Sequence, residues 1–241
     1  MQFDGQRVLV TGAGKGIGRA IVKLLAERGA HVIALSRSAG DLESLAGEVR
    51  CETIACDLSD LDAARAAAER ALPLHGLVNN AGTTELTPFL DTTIEEFDHI
   101  MTVNAKSALV IGQVAARDMI ARGHKGSIVN VSSAASRLGI ANHTSYCASK
   151  AALDNITRVM AVELGAHGIR VNTVNPVVTL TPMAVKAWSD PEKSGPMLAR
   201  VPMGRFVEPE EVASAVAFLL GEDSAMVNGH TLAVDGGFWA N

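Results

Sequence analysis

The feature that most constrains the fold is a glycine-rich turn between a short apolar run and a helical pattern near the start of the chain. Residues Arg7 to Thr11 are typical of a buried strand, and the sequence TGAGKGIG (11–18) completes the turn directly after it. A helical pattern from Gly18 to Arg28 then leads to a second apolar run, His31 to Ser36. A strand, a helix and a strand in this order predict a βαβ unit.

The alternation of short apolar runs and helical patterns continues to the end of the chain. Because the runs are apolar enough to be buried on both faces, they are typical of parallel strands covered by helices. The sequence predicts an α/β fold, a single Rossmann-type doubly wound sheet of seven parallel strands with helices on both faces. The further predicted strands are Thr53–Cys56, Gly76–Asn79, Ser127–Val131, Arg170–Val174 and Thr231–Val234, and the further predicted helices are Leu61–Leu72, Thr93–Arg122, Ser145–Ala166 and Glu208–Leu220, of which Thr93–Arg122 is long enough to contain a break.

One long connection, Val177 to Val207, has no clear periodicity. It follows the carboxyl end of a predicted strand, which is the edge at which parallel α/β sheets bind ligands. Since a loop of this length in a compact unit is usually functional, we expect it to cover the substrate, although a plain surface excursion has the same pattern. The 241 residues, 48% apolar and 20% charged, fit one dinucleotide-binding and catalytic domain spanning 1–241.

Charge and cysteine usage narrow the partners and the compartment. The net charge of −5 comes from interspersed acidic and basic residues, so no basic stripe indicates nucleic acid as a partner. No apolar run reaches the ~18 residues of a membrane helix, and no signal-peptide pattern is seen, so we expect neither a membrane span nor export. Three cysteines without CxxC spacing predict reduced thiols in a cytoplasmic protein. Histidines without HExxH or paired ligand spacing predict no metal site, and the expected ligand is a small molecule.

The glycine-rich turn predicts a phosphate site. Gly12, Gly16 and Gly18 let the chain turn sharply and bring backbone N–H groups and the positive end of a helix against a pyrophosphate. Ile17 occupies the third glycine position of the GxGxxG template, so the spacing departs from that template. The strand before the turn and the helix after it still favour a dinucleotide-binding site.

The end of the second strand indicates which dinucleotide is bound. NAD enzymes generally carry an acidic residue there for the ribose 2′-hydroxyl, whereas NADP enzymes offer cations. Here Ser36 takes the acidic position and Arg37 follows it, while Lys15 of the glycine turn is able to approach the same group. A guanidinium forks onto a phosphate, so the sequence favours NADP(H), with a merely solvated Arg37 as the alternative. Further candidate contacts are Asp57 for the adenine and the small residues Asn80, Ala81 and Gly82 after the fourth strand.

A tyrosine and a lysine one helical turn apart form the candidate reacting centre. Tyr146 is the only tyrosine of the chain, and Lys150 follows it on the same helix face. A nearby cation lowers the phenol pKa from ~10 by ~1 to 3 units, so we expect Tyr146 to exchange a proton near neutral pH, as interconversion of a carbonyl and an alcohol requires. Ser133, just after the fifth strand, is placed to hold the substrate oxygen. Asn104, in the long helix, is placed to orient a water that relays protons to Lys150.

The candidate residues occur in a fixed order along nearly the whole chain: Thr11, Gly12, Gly16, Gly18, Asn79 to Gly82, Asn104, Ser133, Tyr146, Lys150, Asn175 and Pro176. This set resembles the ordered signature of the short-chain dehydrogenase/reductases. The resemblance implies a Rossmann domain, hydride transfer to or from nicotinamide C4, catalytic roles for Asn104, Ser133, Tyr146 and Lys150, and a homotetramer that pairs the two long helices. Val177 stands where many members have glycine, which restricts the backbone near the carboxamide of the cofactor. The cofactor contacts implied by the resemblance include Ile17, Leu58, Pro176, Val178 and Thr181.

Within that family the chain most resembles reductases of sugars and dicarbonyls, which implies that His143 and Trp188 contact the substrate. His143 precedes Tyr146 by three residues and is placed to point a donor at a sugar hydroxyl, while Trp188 supplies an apolar wall with one N–H. Ordinary surface or packing roles for these two side chains stay open. We expect an NADP(H)-dependent reductase of small hydroxylated ketones or dicarbonyls that also oxidises polyols in the reverse direction.

Two other functions fit the same residues. A 3-oxoacyl-carrier-protein reductase shares the fold, but it requires an open active site and a basic surface patch that binds its acidic carrier protein. A non-catalytic dinucleotide sensor would keep the fold without chemistry, although the intact Ser133, Tyr146 and Lys150 speak against it. A hydrolase is disfavoured because no GxSxG elbow surrounds Ser132 or Ser133.

Overall fold

The computed structural model describes residues 2–187 and 190–240. Seven strands form one sheet: β1 (Arg7–Thr11), β2 (His31–Ser36), β3 (Glu52–Ala55), β4 (Gly76–Asn79), β5 (Ser127–Val131), β6 (Arg170–Pro176) and β7 (Thr231–Val234). All neighbouring strands are parallel, in the order β3-β2-β1-β4-β5-β6-β7. The predicted doubly wound sheet of seven parallel strands is therefore confirmed.

Helices cover both faces of the sheet. They are α1 (Gly16–Glu27), α2 (Ala39–Glu48), α3 (Leu61–Arg70), α4 (Ile94–Met101), α5 (Ser107–Ala121), α6 (Thr144–Leu164), α7 (Pro182–Ala187), α8 (Pro191–Leu198) and α9 (Pro209–Leu220). Within the described ranges, no helix has both the length and the apolar character that crossing a bilayer takes.

Alternation along the strands divides the core into two layers. Val8 and Val10 of β1 pack in one cluster with residues of α1, α2 and α9. Leu9, which lies between them, packs in a second cluster with residues of α3, α5 and α6. Because successive side chains of a strand point to opposite faces, a fully apolar run such as this one requires a helical layer on each side.

Helix α2 is not among the elements that the sequence pattern predicts. Gly40 and Gly47 weaken its helical pattern, since glycine costs about 1 kcal/mol relative to alanine in a helix. A start signal is nevertheless present, because the Ser38 side chain accepts a hydrogen bond from the Asp41 N–H at 3.3 Å. The missed helix brings Asp41 towards the glycine turn.

Two further segments near the site differ from simple helix or loop. The predicted break in the helix 93–122 is a π-helical turn, Thr102–Lys106, between α4 and α5. The connection Val177 to Val207, expected to lack regular structure, contains α7 and α8. Its two ends are joined by a hydrogen bond of 3.1 Å from the Val207 N–H to the Val178 carbonyl. Proline at the first position of both helices starts them without a lost hydrogen bond.

The strand order reverses at β1, which lies between β2 and β4. At such a switch point the connections after neighbouring strands leave in opposite directions, and a crevice opens at the carboxyl ends. The segments after β1, β4, β5 and β6 meet at this edge. The predicted site residues follow these strands, so the topology collects them at one place.

Candidate active site

The turn after β1 is locked to the turn after β4. The Asn80 side chain donates from Nδ2 to the carbonyls of Thr11 (3.0 Å) and Gly12 (3.2 Å). The Thr11 hydroxyl accepts from the N–H groups of Asn80 (3.0 Å) and Ala81 (3.1 Å). A Cβ on Gly18 would overlap the Gly12 carbonyl and lie 2.5 Å from Asn80 Nδ2. Only glycine fits this close approach of the two turns.

The amino end of α1 has no side-chain cap. Lys15 stands at the capping position without a capping hydrogen bond, and the first turn holds no acidic residue. By contrast, the Ser38 side chain caps α2 and the Asp60 side chain caps α3. The first N–H groups of a helix carry partial positive charge, so the start of α1 fits the pyrophosphate that the sequence predicts there.

The fold brings a carboxylate to the corner predicted for the 2′-phosphate. Arg37 is exposed at the end of β2, as the prediction requires. Lys15, however, forms a 3.1 Å ion pair with Asp41 of α2, and the bond to Lys15 lowers the pKa of that carboxyl. A Cβ on Gly14 would lie 2.9 Å from Asp41 Cβ and 3.1 Å from Ser36 Oγ. Lys15 is thus already paired with Asp41, a residue that is not among those predicted from the sequence, and its approach to the 2′-phosphate stays a prediction.

Asp57 and Leu58 follow β3 at the same edge of the sheet. One carboxylate oxygen of Asp57 accepts from the N–H (2.9 Å) and the hydroxyl (2.8 Å) of Ser59, and these bonds lower the pKa of the carboxyl. Leu58 is buried, whereas Asp57 is exposed. Both residues stand where the prediction places the adenine end of the cofactor.

Tyr146 and Lys150 lie one turn apart near the start of α6. The Lys150 ammonium is 5.7 Å from the centre of the Tyr146 ring and donates to the Val131 carbonyl at 3.0 Å. The Ser133 side chain is close enough to the Tyr146 phenol to lower the pKa of that phenol. A Cβ on Gly82 would lie 3.4 Å from Lys150 Nζ, so the segment after β4 passes against the ammonium. The structure thus brings Ser133, Tyr146 and Lys150 together, with Lys150 against the segment after β4.

The acidity of Tyr146 differs from the expectation. Burial raises the pKa of Tyr146 above its ordinary value, and the nearby Ser133 side chain opposes this only in part. Burial also lowers the pKa of Lys150 to about 8, with the charge of Asp154 opposing the shift. The prediction that Lys150 lowers the phenol pKa is wrong for the protein by itself, because withdrawal from water disfavours the charged form of both groups.

Asn104 lies in the π-helical turn and is 1% exposed. Its Oδ1 accepts from the Thr83 N–H at 2.8 Å, and its Nδ2 donates to the Thr83 carbonyl at 2.9 Å and to Ser149 Oγ at 3.0 Å. Ser149 in turn donates to the Tyr146 carbonyl at 2.7 Å. Asn104 therefore ties the segment after β4 to the helix that carries Tyr146. Turns of π type recur at functional sites. The role of Asn104 in orienting a water that relays protons to Lys150 stays a prediction.

A polar network that the sequence pattern does not reveal supports Ser133. The Asn175 Nδ2 donates to the Ser133 carbonyl at 3.0 Å and lies 3.2 and 3.1 Å from the two carboxylate oxygens of Asp154. Asp154 is 3% exposed and stands four residues after Lys150. This spacing, the same as that between Tyr146 and Lys150, is the signal that could have found it.

Of the two predicted substrate contacts, His143 is described and Trp188 lies outside the described residues. The His143 ring centre is 6.2 Å from that of Tyr146, and its Nδ1 is 2.7 Å from the Ala141 carbonyl. A carbonyl only accepts, so Nδ1 donates and Nε2 of the neutral ring is an acceptor. The expected donor role of His143 therefore changes to that of an acceptor for a substrate hydroxyl.

The predicted carboxamide contacts start the connection after β6. Pro176 is the last residue of β6 and is buried. Val178 lies two residues later in the chain. A Cβ on Gly16 would lie 2.8 Å from the Thr181 methyl carbon, so Thr181 packs directly on the glycine turn. This position places the connection beside the cofactor crevice, and its contacts with the carboxamide stay a prediction.

A parallel sheet with a glycine turn at its switch point, and a tyrosine–lysine pair at the same edge of the sheet, defines a dinucleotide-dependent oxidoreductase. Residues 12–239 match the family described as enoyl-(acyl carrier protein) reductase. The chain is 52% identical to L-xylulose reductase of Bos taurus, over 100% of this chain and 99% of that protein. It is 46% identical to carbonyl reductase [NADPH] 2 of Sus scrofa, over 100% and 99% of the two chains.

A solved structure described as a short chain dehydrogenase/reductase family protein has a TM-score of 0.94 and 37% identity, with 100% of each chain covered. The protein belongs to the short-chain dehydrogenase/reductase family.

Proposed function

We propose that this protein reduces small hydroxylated ketones, dicarbonyls and ketose sugars with NADPH and oxidises the corresponding polyols in the reverse direction. The observation that carries the proposal is the meeting of the Ser133 hydroxyl, the Tyr146 phenol and the Lys150 ammonium against the segment after β4, which is itself bonded to the glycine turn. Its support is the identity of 52% to an L-xylulose reductase and of 46% to an NADPH carbonyl reductase, each over the whole chain.

The residues at the crevice fit NADP(H). The glycines keep the turn packed closely against the neighbouring chain, where any added Cβ would meet protein atoms, and the uncapped start of α1 offers N–H donors to phosphate. The exposed Arg37 offers a guanidinium to a 2′-phosphate. When bound, the cofactor supplies the hydride. The residues proposed to hold it are Gly12, Lys15, Gly16, Ile17, Gly18, Ser36, Arg37, Asp57, Leu58, Asn80, Ala81, Gly82, Tyr146, Lys150, Pro176, Val178 and Thr181.

The proton that completes carbonyl reduction comes from Tyr146. Because burial raises the pKa of Tyr146, the phenol holds its proton at neutral pH and is able to give it to the substrate oxygen. The Ser133 hydroxyl, close to the same phenol, positions that oxygen and donates to its developing negative charge. Polyol oxidation uses the same groups in reverse, with Tyr146 accepting the proton of the alcohol.

Lys150 stabilises the phenolate that proton donation leaves behind. Its ammonium is held by the Val131 carbonyl at 3.0 Å, and with a pKa of about 8 most of it is charged at pH 7. Reprotonation of Tyr146 passes through Lys150 and a water oriented at Asn104. The supporting observation is that Lys150 and Asn104 both lie next to Gly82. A Cβ added to Gly82 would be 3.4 Å from Lys150 Nζ and 3.5 Å from Asn104 Oδ1.

The substrate is held between α6 and the connection 177–207. His143 accepts a hydrogen bond from a hydroxyl of the substrate through Nε2. Trp188 lies outside the described residues, and its role as an apolar wall for the substrate is proposed from the sequence resemblance. A ketone with neighbouring hydroxyl groups donates the hydrogen bond that His143 accepts, whereas a long acyl chain has no hydroxyl group to donate.

A panel of substrates tests the proposal. We expect turnover of L-xylulose and diacetyl with NADPH, and lower kcat/KM for an acetoacetyl thioester. The acyl-carrier-protein alternative is kept because residues 12–239 match a family whose description names that carrier. Turnover of the thioester alone would exclude the sugar and dicarbonyl substrates.

The proposed assembly is a homotetramer in the cytoplasm. An apolar groove of about 450 Å³ runs between α5 and α6, and it is lined by residues that include Leu109, Gly112, Val159 and Met160. Val162 on the same helix as Val159 is 81% exposed. Large exposed aliphatic side chains on two neighbouring helices suit a helix-pairing interface. Light scattering should give four chains per particle, and Val159→Asp should give a smaller particle.

A further inference from the structure

Asp154 is a buried carboxylate that the proposed mechanism does not use. It is 3% exposed and lies on α6 four residues after Lys150, which is also 3% exposed. Residues four apart share a helix face, so the two side chains are directed into the same layer of the core. A buried carboxylate is costly unless charge and hydrogen bonds compensate it, so its partners explain its presence.

The hydrogen-bonding partner of Asp154 is the amide of Asn175 at the end of β6. Nδ2 of Asn175 lies 3.2 and 3.1 Å from the two carboxylate oxygens, and it also contacts the Ser133 carbonyl and the Ser136 hydroxyl, each at 3.0 Å. An amide nitrogen has two hydrogens, so the carboxylate fixes which way the Asn175 amide faces. That orientation holds the backbone of Ser133.

The charge of Asp154 also acts on the Lys150 ammonium, which lies one helical turn earlier on the same face of α6 and is equally buried. Lys150 donates to the Val131 carbonyl at 3.0 Å, and its own carbonyl accepts from Ser132 Oγ at 3.2 Å. Lys150 thus connects Val131 and Ser132, at the end of β5, to α6. Asp154 and Asn175 connect the next residue, Ser133, to the same helix. The charge of Asp154 opposes the effect of burial on the Lys150 pKa.

Other ionisable groups around α6 are bonded to other partners, exposed to solvent or neutral. Glu96 of α4 accepts from the Ser145 hydroxyl at 3.0 Å, and Arg137 stacks 4.4 Å from the Trp239 ring. Lys106 of the π-helical turn is exposed. Tyr146 is the neighbouring ionisable group on α6 itself, and burial keeps it neutral at neutral pH. Among the described residues, Asp154 is the charge that acts on Lys150.

We propose that Asp154 is a positioning residue for the reaction: it orients the Asn175 amide that holds Ser133, and it is the buried counter-charge of the Lys150 ammonium. The inference rests on the proposed function for its meaning in catalysis. Asp154 touches neither the substrate nor the Tyr146 phenol, and it acts through Ser133 and Lys150.

Titration of Lys150 in the cofactor-free protein tests the counter-charge. Lysine labelled with ¹³C at Cε is followed by NMR against pH, and the Lys150→Arg variant assigns the signal. We expect a midpoint near pH 8 in the unmodified protein and a midpoint at least about one unit lower in Asp154→Asn, since one opposite charge shifts a pKa by ~1 to 3 units. An unchanged midpoint in Asp154→Asn overturns the proposal.

Two variants control this titration. Asp118→Asn removes a partly buried carboxylate that binds Arg122 at the far end of α5, and it should leave the Lys150 midpoint unchanged. An equal shift in Asp118→Asn would show a general effect of loosened packing and would overturn the proposal. If Asp154→Asn does not fold, Asp154→Ser, which leaves room for a water, gives the same comparison.

A double-mutant cycle at pH 6, where Lys150 is charged, tests the positioning of Ser133. We expect Asp154→Asn to lower kcat about tenfold alone and distinctly less in a Ser133→Ala background, because both changes act on one group. Strictly additive losses overturn this part of the proposal. If no ketone is turned over while the Lys150 midpoint still depends on Asp154, the proposed function fails and the counter-charge stands.

Discussion

The Lys150 ammonium lies 5.7 Å from the centre of the Tyr146 ring, and burial moves the pKa values of the two groups apart, that of Tyr146 upwards and that of Lys150 down to about 8. The phenol is harder to ionise than in water, and the ammonium is easier to neutralise. The protein without cofactor therefore holds Tyr146 protonated and Lys150 close to its titration point. This state suits carbonyl reduction, in which Tyr146 gives up a proton.

Tyr146→Phe removes the proton donor and keeps the ring. We expect carbonyl reduction to fall by at least about 10²- to 10⁴-fold, the usual contribution of a general acid, while NADPH binding changes little. Steady-state kinetics and fluorescence titration with NADPH measure the two effects. Unchanged behaviour of the Phe variant would favour the non-catalytic sensor instead.

Carbonyl reduction should lose rate as the pH rises through about 8. Lys150 becomes neutral there, whereas Tyr146, with its raised pKa, keeps its proton. The phenolate formed in the reaction then lacks its cation. The pH profile of kcat/KM for L-xylulose reports groups of the free enzyme, and a profile flat from pH 7 to pH 9.5 contradicts the assignment.

Lys150→Met should stabilise the fold at neutral pH. A folded pKa of about 8 against 10.5 in the unfolded chain means that burial of the charged lysine costs about 3 kcal/mol below pH 8. Between pH 8 and 10.5 the unfolded state binds more protons, so the stability of the unmodified protein rises and the cost disappears. Allowing for the lost bond to the Val131 carbonyl, we expect a gain of about 2 kcal/mol at pH 7 that shrinks towards pH 10.

Urea unfolding at pH 7 and pH 9.5 measures this difference. Lys125→Met, at an exposed position, is the matched control and should show no pH-dependent gain. A Lys150→Met protein less stable than the unmodified one at pH 7 would show that the buried ammonium is compensated by its surroundings.

Arg37→Asp should move the cofactor preference from NADP(H) towards NAD(H). The change removes a guanidinium at the end of β2 and supplies the carboxylate that a ribose 2′-hydroxyl prefers. A charge-assisted bond contributes about 1.5 to 3 kcal/mol, so the ratio of kcat/KM for NADPH over NADH should fall about 10- to 100-fold. Arg50→Asp, exposed before the start of β3 at the opposite edge of the sheet, is the control. Equal efficiency with both cofactors in the unmodified enzyme contradicts the assignment.

Gly18→Ala should disrupt the glycine turn, because its Cβ would overlap the Gly12 carbonyl and press on Asn80 Nδ2. We expect a loss of about 1 to 3 kcal/mol in stability and at least about tenfold weaker NADPH binding. Gly47→Ala meets no atom within 4 Å in α2 and should instead stabilise the fold by about 0.5 to 1 kcal/mol. Thermal unfolding and NADPH titration of the two variants separate steric overlap from a general effect of adding a methyl group.

The order of the strands and most helices can be predicted from the sequence, because it follows from the pattern of apolar residues and glycines within each short segment. The apolar runs at Arg7–Thr11 and His31–Ser36 and the intervening glycine turn predict the βαβ unit with the observed strand bounds. Seven such runs predict the parallel sheet, since strands buried on both faces need helices on both faces. The i,i+4 spacing of Tyr146 and Lys150 places them on one helix face before any fold is known.

The sequence alone determined the seven strands, the helices other than α2, α7 and α8, their order, and which side chains share a helix face, since hydrophobic periodicity and glycine spacing are properties of neighbouring residues. Only the tertiary structure decided that Asp41 pairs with Lys15, that Asp154 reaches Ser133 through Asn175, and that burial raises the pKa of Tyr146. These relationships join residues far apart in the chain, or depend on how completely water is excluded. The contacts between distant residues and the exclusion of water are both set by the packing of the whole molecule, and no local sequence pattern predicts them.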